Sequence, residues 1–165
     1  MKNKNSDLFT LDKFIEESLY NKKIATLVTT LFSVIFLNTA SLAADATVEM
    51  LNKQEKEIMV FSQKIVKINV GDKVFWKATN KGHNVEFIKG GVPEGVEKFK
   101  SKYSQDVEFK FDTPGIYAYW CTPHKSVGMI GFIIVGDDKS NLDAIKAIKY
   151  SGKSKKIAPD LINSL

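Results

Sequence analysis

Three side chains able to bind a soft metal ion crowd into YWCTPHKSVGM at 119–129: Cys121, then His124, then Met129. The chain has one cysteine and two histidines, the other being His83 in KGHN at 81–84. A single cysteine cannot close an internal disulfide, and a free thiol in an oxidising compartment invites oxidation. Taken singly, each residue has an ordinary reading: a lone His is usually a surface or hydrogen-bonded group, and a lone Met usually fills core. Taken together, Cys-x2-His-x4-Met plus an upstream His supplies one thiolate, two imidazoles and a thioether.

Those donors discriminate between metals. A thiolate and two imidazoles would satisfy zinc, but structural zinc takes a fourth strong donor, and a thioether is soft and nearly neutral. Two imidazoles and a thiolate in a plane, with a long axial thioether, match the general description of blue-copper electron-transfer sites. Such a site accepts Cu(II) and Cu(I), and a rigid support keeps nearly one geometry for both, which favours one-electron transfer over bond-making chemistry. Pro123 has no N–H to donate to the Cys121 sulfur, which bears on the electronics of that ligand. Asn84 follows the first His and Thr122 follows the Cys, so a hydrogen bond between them would tie the two halves of the site together. Ordinary turn chemistry accounts for both residues equally well.

Two other chemistries draw on the same residues. A thiol enzyme with Cys121 as nucleophile and His124 as base leaves His83 and Met129 without a role and has no third, orienting residue by motif. A copper-holding protein usually relies on several Met or Cys. Of Met50, Met59 and Met129, only the last lies in a ligand-spaced motif.

Short strands must position these groups. KIVKINV at 64–70 alternates, with Val66, Ile68 and Val70 on one face, and Gly71-Asp72 turns the chain into Lys73–Ala78. DVEFKF at 106–111 alternates strictly, DTPG at 112–115 breaks it, and Ile116–Cys121 and Met129–Val135 follow. Such spacing, with Gly and Pro turns, predicts an all-β sandwich or barrel of about seven or eight strands. The longer crossover at 89–104 is expected to hold a short helix. After Gly136, Ser140 with Asp143 reads as a capping box, and Leu142, Ile145 and Ile148 recur at helical spacing until Gly152. A second helical turn is expected near Pro159, and these C-terminal pieces need the sandwich to cover their apolar face.

Composition narrows the partners. A chain of 165 residues with 44% hydrophobic and 26% charged residues makes one globular domain with an ordinary core. The net charge is +5, and all 24 basic residues are Lys. Without Arg, sequence-specific nucleic-acid binding is disfavoured, whereas a Lys-rich surface suits a transient, salt-sensitive acidic partner. At the N-terminus, Lys22-Lys23 precede an apolar run from Ile24 to Leu37, and small residues follow to Ala44. That is the layout of a secretory signal peptide cut after Ala43. The run covers about 21 Å as a helix, short of the ~30 Å hydrocarbon core. Residues 1–20 make an unusually long and acidic approach, which fits either a start further downstream or a retained N-terminal anchor. A lipoprotein is excluded because the lone cysteine is Cys121. From Ala44 onward 19 Lys face 15 Asp and Glu, a net charge of +4, so the basic character belongs to the domain.

The mature region resembles the cupredoxins, and within them the pseudoazurin family. The resemblance is carried by ADATVEMLNK, VGDKV, KGHNVEFIKG, FKSK, TPGIYAYWCTPHKSVGMIG and NLDAIKAIK. It implies a cupredoxin-like Greek-key β-sandwich of about eight strands over 44–136, a helical extension over 137–165, and a signal and extension over 1–43. It also implies one type 1 copper per chain, with His83, Cys121 and His124 as strong ligands and Met129 as the axial one, Asn84, Thr122 and Pro123 around them, and no catalytic residue. The function implied is periplasmic electron shuttling by a monomer, in denitrification, between a cytochrome donor and an acceptor such as nitrite reductase. No stable membrane association is expected once the signal is cleaved. The electron port would be the exposed edge of His124, with Lys81, Lys89 and Lys125 in a basic ring for acidic partners. Two positions depart from the family pattern: Trp120 stands where Lys often precedes the Cys, and Lys125-Ser126 stand where an aromatic and a small residue are common.

Overall fold

A computed structural model describes residues 16–20 and 45–165; the basic, apolar and small-residue parts of the signal and the cut after Ala43 lie outside the described residues. Residues 16–20 are helical. No helix among the described residues is long and apolar enough to cross a membrane. Eight strands follow: β1 (Ala46–Gln54), β2 (Glu57–Phe61), β3 (Ile65–Ile68), β4 (Lys73–Lys77), β5 (Glu86–Phe87), β6 (Val107–Lys110), β7 (Gly115–Trp120) and β8 (Ile130–Val135). They form two sheets ordered β2-β1-β4-β6 and β3-β8-β7-β5. The β1–β4 and β3–β8 pairs are parallel and the others antiparallel.

The period-two patterning has the consequence expected of a sheet with one wet face. Val74 and Trp76 are fully buried while their neighbours on β4 are partly or wholly exposed, and β6 alternates in the same way. These side chains meet Val48 and Met50 of β1 and Val66, Ile68, Tyr117, Tyr119, Ile133 and Val135 of the other sheet in one core cluster. The Gly71-Asp72 turn before β4 forms as its residue types predict, with Gly71 at φ +95°. Val70, however, is 51% exposed, because β3 ends at Ile68 and the last alternating residue lies beyond the sheet.

The second sheet is covered on both faces, which explains why GIYAYW and IGFIIV lack polar alternation. Ile116, Ala118, Ile130 and Phe132 face away from the sandwich and meet Ile145, Ala158 and Ile162 of the C-terminal segment. That segment contains α1 (Leu142–Ala147) and α2 (Gly152–Asn163).

Three local expectations fail, each for a physical reason. The crossover at 89–104 contains turns and one bridge from Lys100 to Glu86 but no helix, since it is spent pinning β5 to its surroundings. The capping box does not form: Asn141 is the N-cap of α1, with no side-chain cap, and its amide instead exchanges two hydrogen bonds with the backbone of Ile116. Helix α2 begins at Gly152, well before Pro159, which lies inside it. Burial of Ser154, Ala158 and Ile162 at four-residue intervals outweighs the hydrogen bond that a mid-helix proline removes.

Asn141 thus stitches the helical extension to β7. Its replacement by Ala should destabilise the protein by about 1–3 kcal/mol. Urea denaturation should show a lowered midpoint at an unchanged m-value.

Candidate metal centre

The two halves of the site leave the same end of the sandwich by different routes. His83 lies between β4 and β5, where Gly82 at φ +90° turns the chain inward. Its carbonyl accepts the N–H of Ser104, and the Ser104 hydroxyl accepts the N–H of Gly82. Cys121 begins the connection between the paired strands β7 and β8. This loop is closed by its own backbone: the N–H of His124 donates to the Cys121 carbonyl, that of Cys121 to the Met129 carbonyl, and those of Val127 and Met129 to the His124 carbonyl. A 3-10 turn at Thr122–His124 carries Pro123 in its first positions, where a missing N–H costs little.

The donor atoms converge. Nδ1 of His83 and Nδ1 of His124 are 3.1 Å apart, and the Cys121 Sγ lies 3.7 Å and 3.3 Å from them, respectively. Three donors bound to a common transition-metal ion at about 2.0–2.3 Å would be separated by similar distances. His83 and Cys121 are buried and His124 is partly exposed. Met129 is fully buried in the same core cluster as Cys121.

The tautomer of His83 follows from its outer nitrogen. Its Nε2 lies 2.9 Å from the Asn52 Oδ1, so the proton belongs on Nε2 and the Nδ1 lone pair points into the site. The Asn52 main-chain N–H in turn donates to the Asn80 side chain. Burial, and then repulsion from a charged His124, lower the His83 pKa; burial lowers that of His124. Both imidazoles are therefore kept in the neutral form that a metal requires. Burial pushes the Cys121 thiol up, while N–H groups of Asn84 and His124 directed at it work in the opposite sense. Cys121 is also fully buried, out of reach of a substrate, so the site does not favour thiol chemistry.

Around the donors, Asn84 and Thr122 exchange two hydrogen bonds, Nδ2 to Oγ1 at 3.0 Å and main-chain N–H to Oδ1 at 2.8 Å. Sequence reasoning missed Glu86, which lies opposite Trp120 across the β5–β7 pair. One oxygen, Oε2, accepts the Thr122 hydroxyl at 2.6 Å and the Trp120 indole N–H at 3.1 Å, so a single carboxylate holds both residues that flank Cys121. Burial opposes its charge, but bonds from Thr122, Trp120 and Lys100 leave its pKa lowered. The signal available in the sequence was its place two residues after Asn84; which strand faced it was not legible.

Lys81 and Lys89 are exposed. Lys89 borders a groove that also contains Trp120, and the Lys125 ammonium sits 4.6 Å from the centroid of the Trp120 ring. Trp120 and Lys125 therefore form a cation–π pair beside the ligand loop.

The family described as "Copper binding proteins, plastocyanin/azurin family" matches residues 48–136. A putative pseudoazurin of Rhizobium leguminosarum bv. viciae is 45% identical over 125 residues, covering 75% of this chain and 82% of that protein. The chain belongs to the pseudoazurin family. Pseudoazurin of Paracoccus pantotrophus is 42% identical over 123 residues, 74% of this chain and 85% of the relative. The crystal structure of native pseudoazurin from Hyphomicrobium denitrificans superposes with a TM-score of 0.70 at 37% identity, covering 74% of this chain and 98% of that one. As a pseudoazurin the chain is a copper electron-transfer protein with a cupredoxin fold, and not an enzyme.

Asn52 holds the buried imidazole from outside the donor set. Asn52→Ala should weaken copper binding by about 10–100-fold, read by competition with a chelator of known affinity.

Proposed function

We propose that the chain is a periplasmic shuttle for single electrons in which His83, Cys121, His124 and Met129 hold one copper ion. The observation that carries this reading is the convergence of two inward-facing Nδ1 atoms and one Sγ, with the His83 tautomer set by Asn52. Bound copper supplies a one-electron couple between Cu(II) and Cu(I). The protein's part is to resist rearrangement between those states. His83 is locked by Asn52 and by backbone bonds to Ser104; Cys121 is locked by the strand pair and by the Asn84–Thr122–Glu86 chain. Met129, buried at the end of the loop, would supply a weak thioether donor to the bound metal. His124 is the partly exposed member of the set and is the proposed electron port.

Export to the periplasm is supported by the basic, apolar and small-residue layout of 22–44 and by the lone cysteine. The partners in this reading are a cytochrome donor and a denitrification enzyme such as nitrite reductase. They would dock as transient complexes through acidic surfaces that meet Lys81, Lys89 and Lys125. Family membership and the Arg-free, Lys-rich surface support that choice.

Adding Cu(II) to the purified protein should produce an intense thiolate-to-copper absorption band and narrow copper hyperfine splitting in electron paramagnetic resonance. Met129→Leu should keep copper but change the reduction potential. A colourless protein that takes zinc instead would remove electron transfer as the function, and a Leu variant identical in spectrum and potential would remove Met129 from the ligand set.

Docking has its own test, motivated by the lysine excess. The rate of electron exchange with an acidic partner should fall as salt rises, and Lys81→Glu should slow it at low salt. A rate indifferent to salt would mean that apolar contact drives recognition.

A further inference from the structure

The last helix begins against the ligand loop. Helix α2 has Ser151 as its N-cap, and Ser151 makes no side-chain capping bond. The first-turn N–H groups of a helix need acceptors from outside it. One of those acceptors is in the loop, where the Lys153 N–H donates to the Ser126 carbonyl at 2.7 Å. The Ser154 hydroxyl donates to the neighbouring carbonyl, that of Lys125. Ser154 is 1% exposed, so water does not stand in for that bond if it breaks.

Steric fit reinforces the pair of bonds. Gly152 has φ +55°, and a Cβ at that position would overlap the carbonyl oxygen of Ser126. From the loop side, a Cβ on Gly128 would press on the side chains of Lys153 and Ile157. The contact therefore requires glycine at Gly152, where the backbones approach, while Gly128 is favoured by its φ of +108° and packs against the helix side chains. The body of α2 is anchored elsewhere, with Ala158 and Ile162 buried in the cluster behind β7 and β8. Its first turn is consequently a fixed abutment and not a flap that travels with the loop.

We propose that Gly152 and Ser154 are positioning residues for the copper centre: the first turn of α2 clamps the 124–129 segment and sets where His124 and Met129 stand relative to each other. This rests on the reading of those two residues as ligands. Lys125 and Ser126, whose carbonyls are held, are the two residues directly after His124, and the Met129 N–H closes back onto the His124 carbonyl. Loss of the clamp frees the segment between the two ligands while leaving Cys121 held by the strand pair. The coupling is reciprocal and confined to the first turn: opening the loop exposes the N–H of Lys153, and fraying that turn releases the loop carbonyls.

The experiment is hydrogen exchange of individual amides in the metal-free protein, comparing Ser154→Ala with Ile162→Ala. Ile162 lies at the other end of α2, so its truncation weakens the helix without touching the loop. Ser154→Ala should accelerate exchange at Lys153 and Met129 by about 3–10-fold, the loss expected for one buried hydrogen bond, and leave Tyr117 and Ile133 unchanged. In the copper-loaded protein, Ser154→Ala and Gly152→Ala should each change the copper hyperfine splitting and the reduction potential, and Ile162→Ala should change neither. An unchanged Met129 exchange rate in Ser154→Ala, or an equal rise in Ile162→Ala, overturns the clamp. Faster exchange with an unmoved spectrum and potential overturns its role in the centre. The metal-free arm does not depend on the copper reading, so failure of that reading shows separately, as a wild-type protein lacking the thiolate-to-copper band.

Discussion

Two imidazole nitrogens 3.1 Å apart, with a sulfur 3.3–3.7 Å from them, would repel one another once all three present lone pairs to a common point, unless a cation lies among them. Burial makes this worse, since it raises the cost of charging either imidazole or the thiol. The fold's task is to hold that arrangement against its own tendency to relax. It does so with groups outside the donor set. Asn52 takes the proton side of His83, Asn84 and Thr122 cross-link the two ligand-bearing segments, and the Cys121–Met129 loop is closed by backbone hydrogen bonds. A site held in this way changes little when an electron arrives or leaves, which is the property an electron carrier needs.

The same demand shapes the sheet beneath. Cys121 follows β7, and β7 and β8 are buried on both faces, by the opposing sheet on one side and by α1 and α2 on the other. Tyr119 lies opposite Gly131 in the ladder and its ring occupies the space a larger residue would take there, so an aromatic ring fills the place of the missing side chain. A helical extension that might look like an appendage is therefore the outer wall of the strand pair that carries the ligand loop. Asn141 ties that wall to the Ile116 backbone, on the strand leading to Cys121.

Electrostatics near the loop follow from which strands are adjacent. Glu86 is a carboxylate next to a copper ligand loop, yet its charge is absorbed by Thr122, Trp120 and Lys100. Trp120 gives this carboxylate an indole N–H and gives Lys125 a ring to sit over. The residues on either side of the Cys121–His124 turn are thus coupled to each other as well as to Glu86.

The ligand types, their spacing and the strand alternation were legible in the sequence because each is a local property. A Cys-x2-His-x4-Met spacing narrows the chemistry without reference to the rest of the chain, and period-two burial needs only one covered face. That covers the site's His, Cys and Met residues and most strands to within a residue or two. What reached beyond local pattern was decided by tertiary structure. Asn52 and Glu86 acquired their roles only when β1 and β5 came beside residues about 31 and 34 positions away in the chain. The start of α2 was misplaced because burial of Ser154, Ala158 and Ile162 overrode the helix-starting preference of Pro159. The apparent capping serine lost its role because Asn141 had a better use for its amide on β7. In each case a contact between distant segments competed with a local preference and prevailed, and such competition is settled only once the chain is folded.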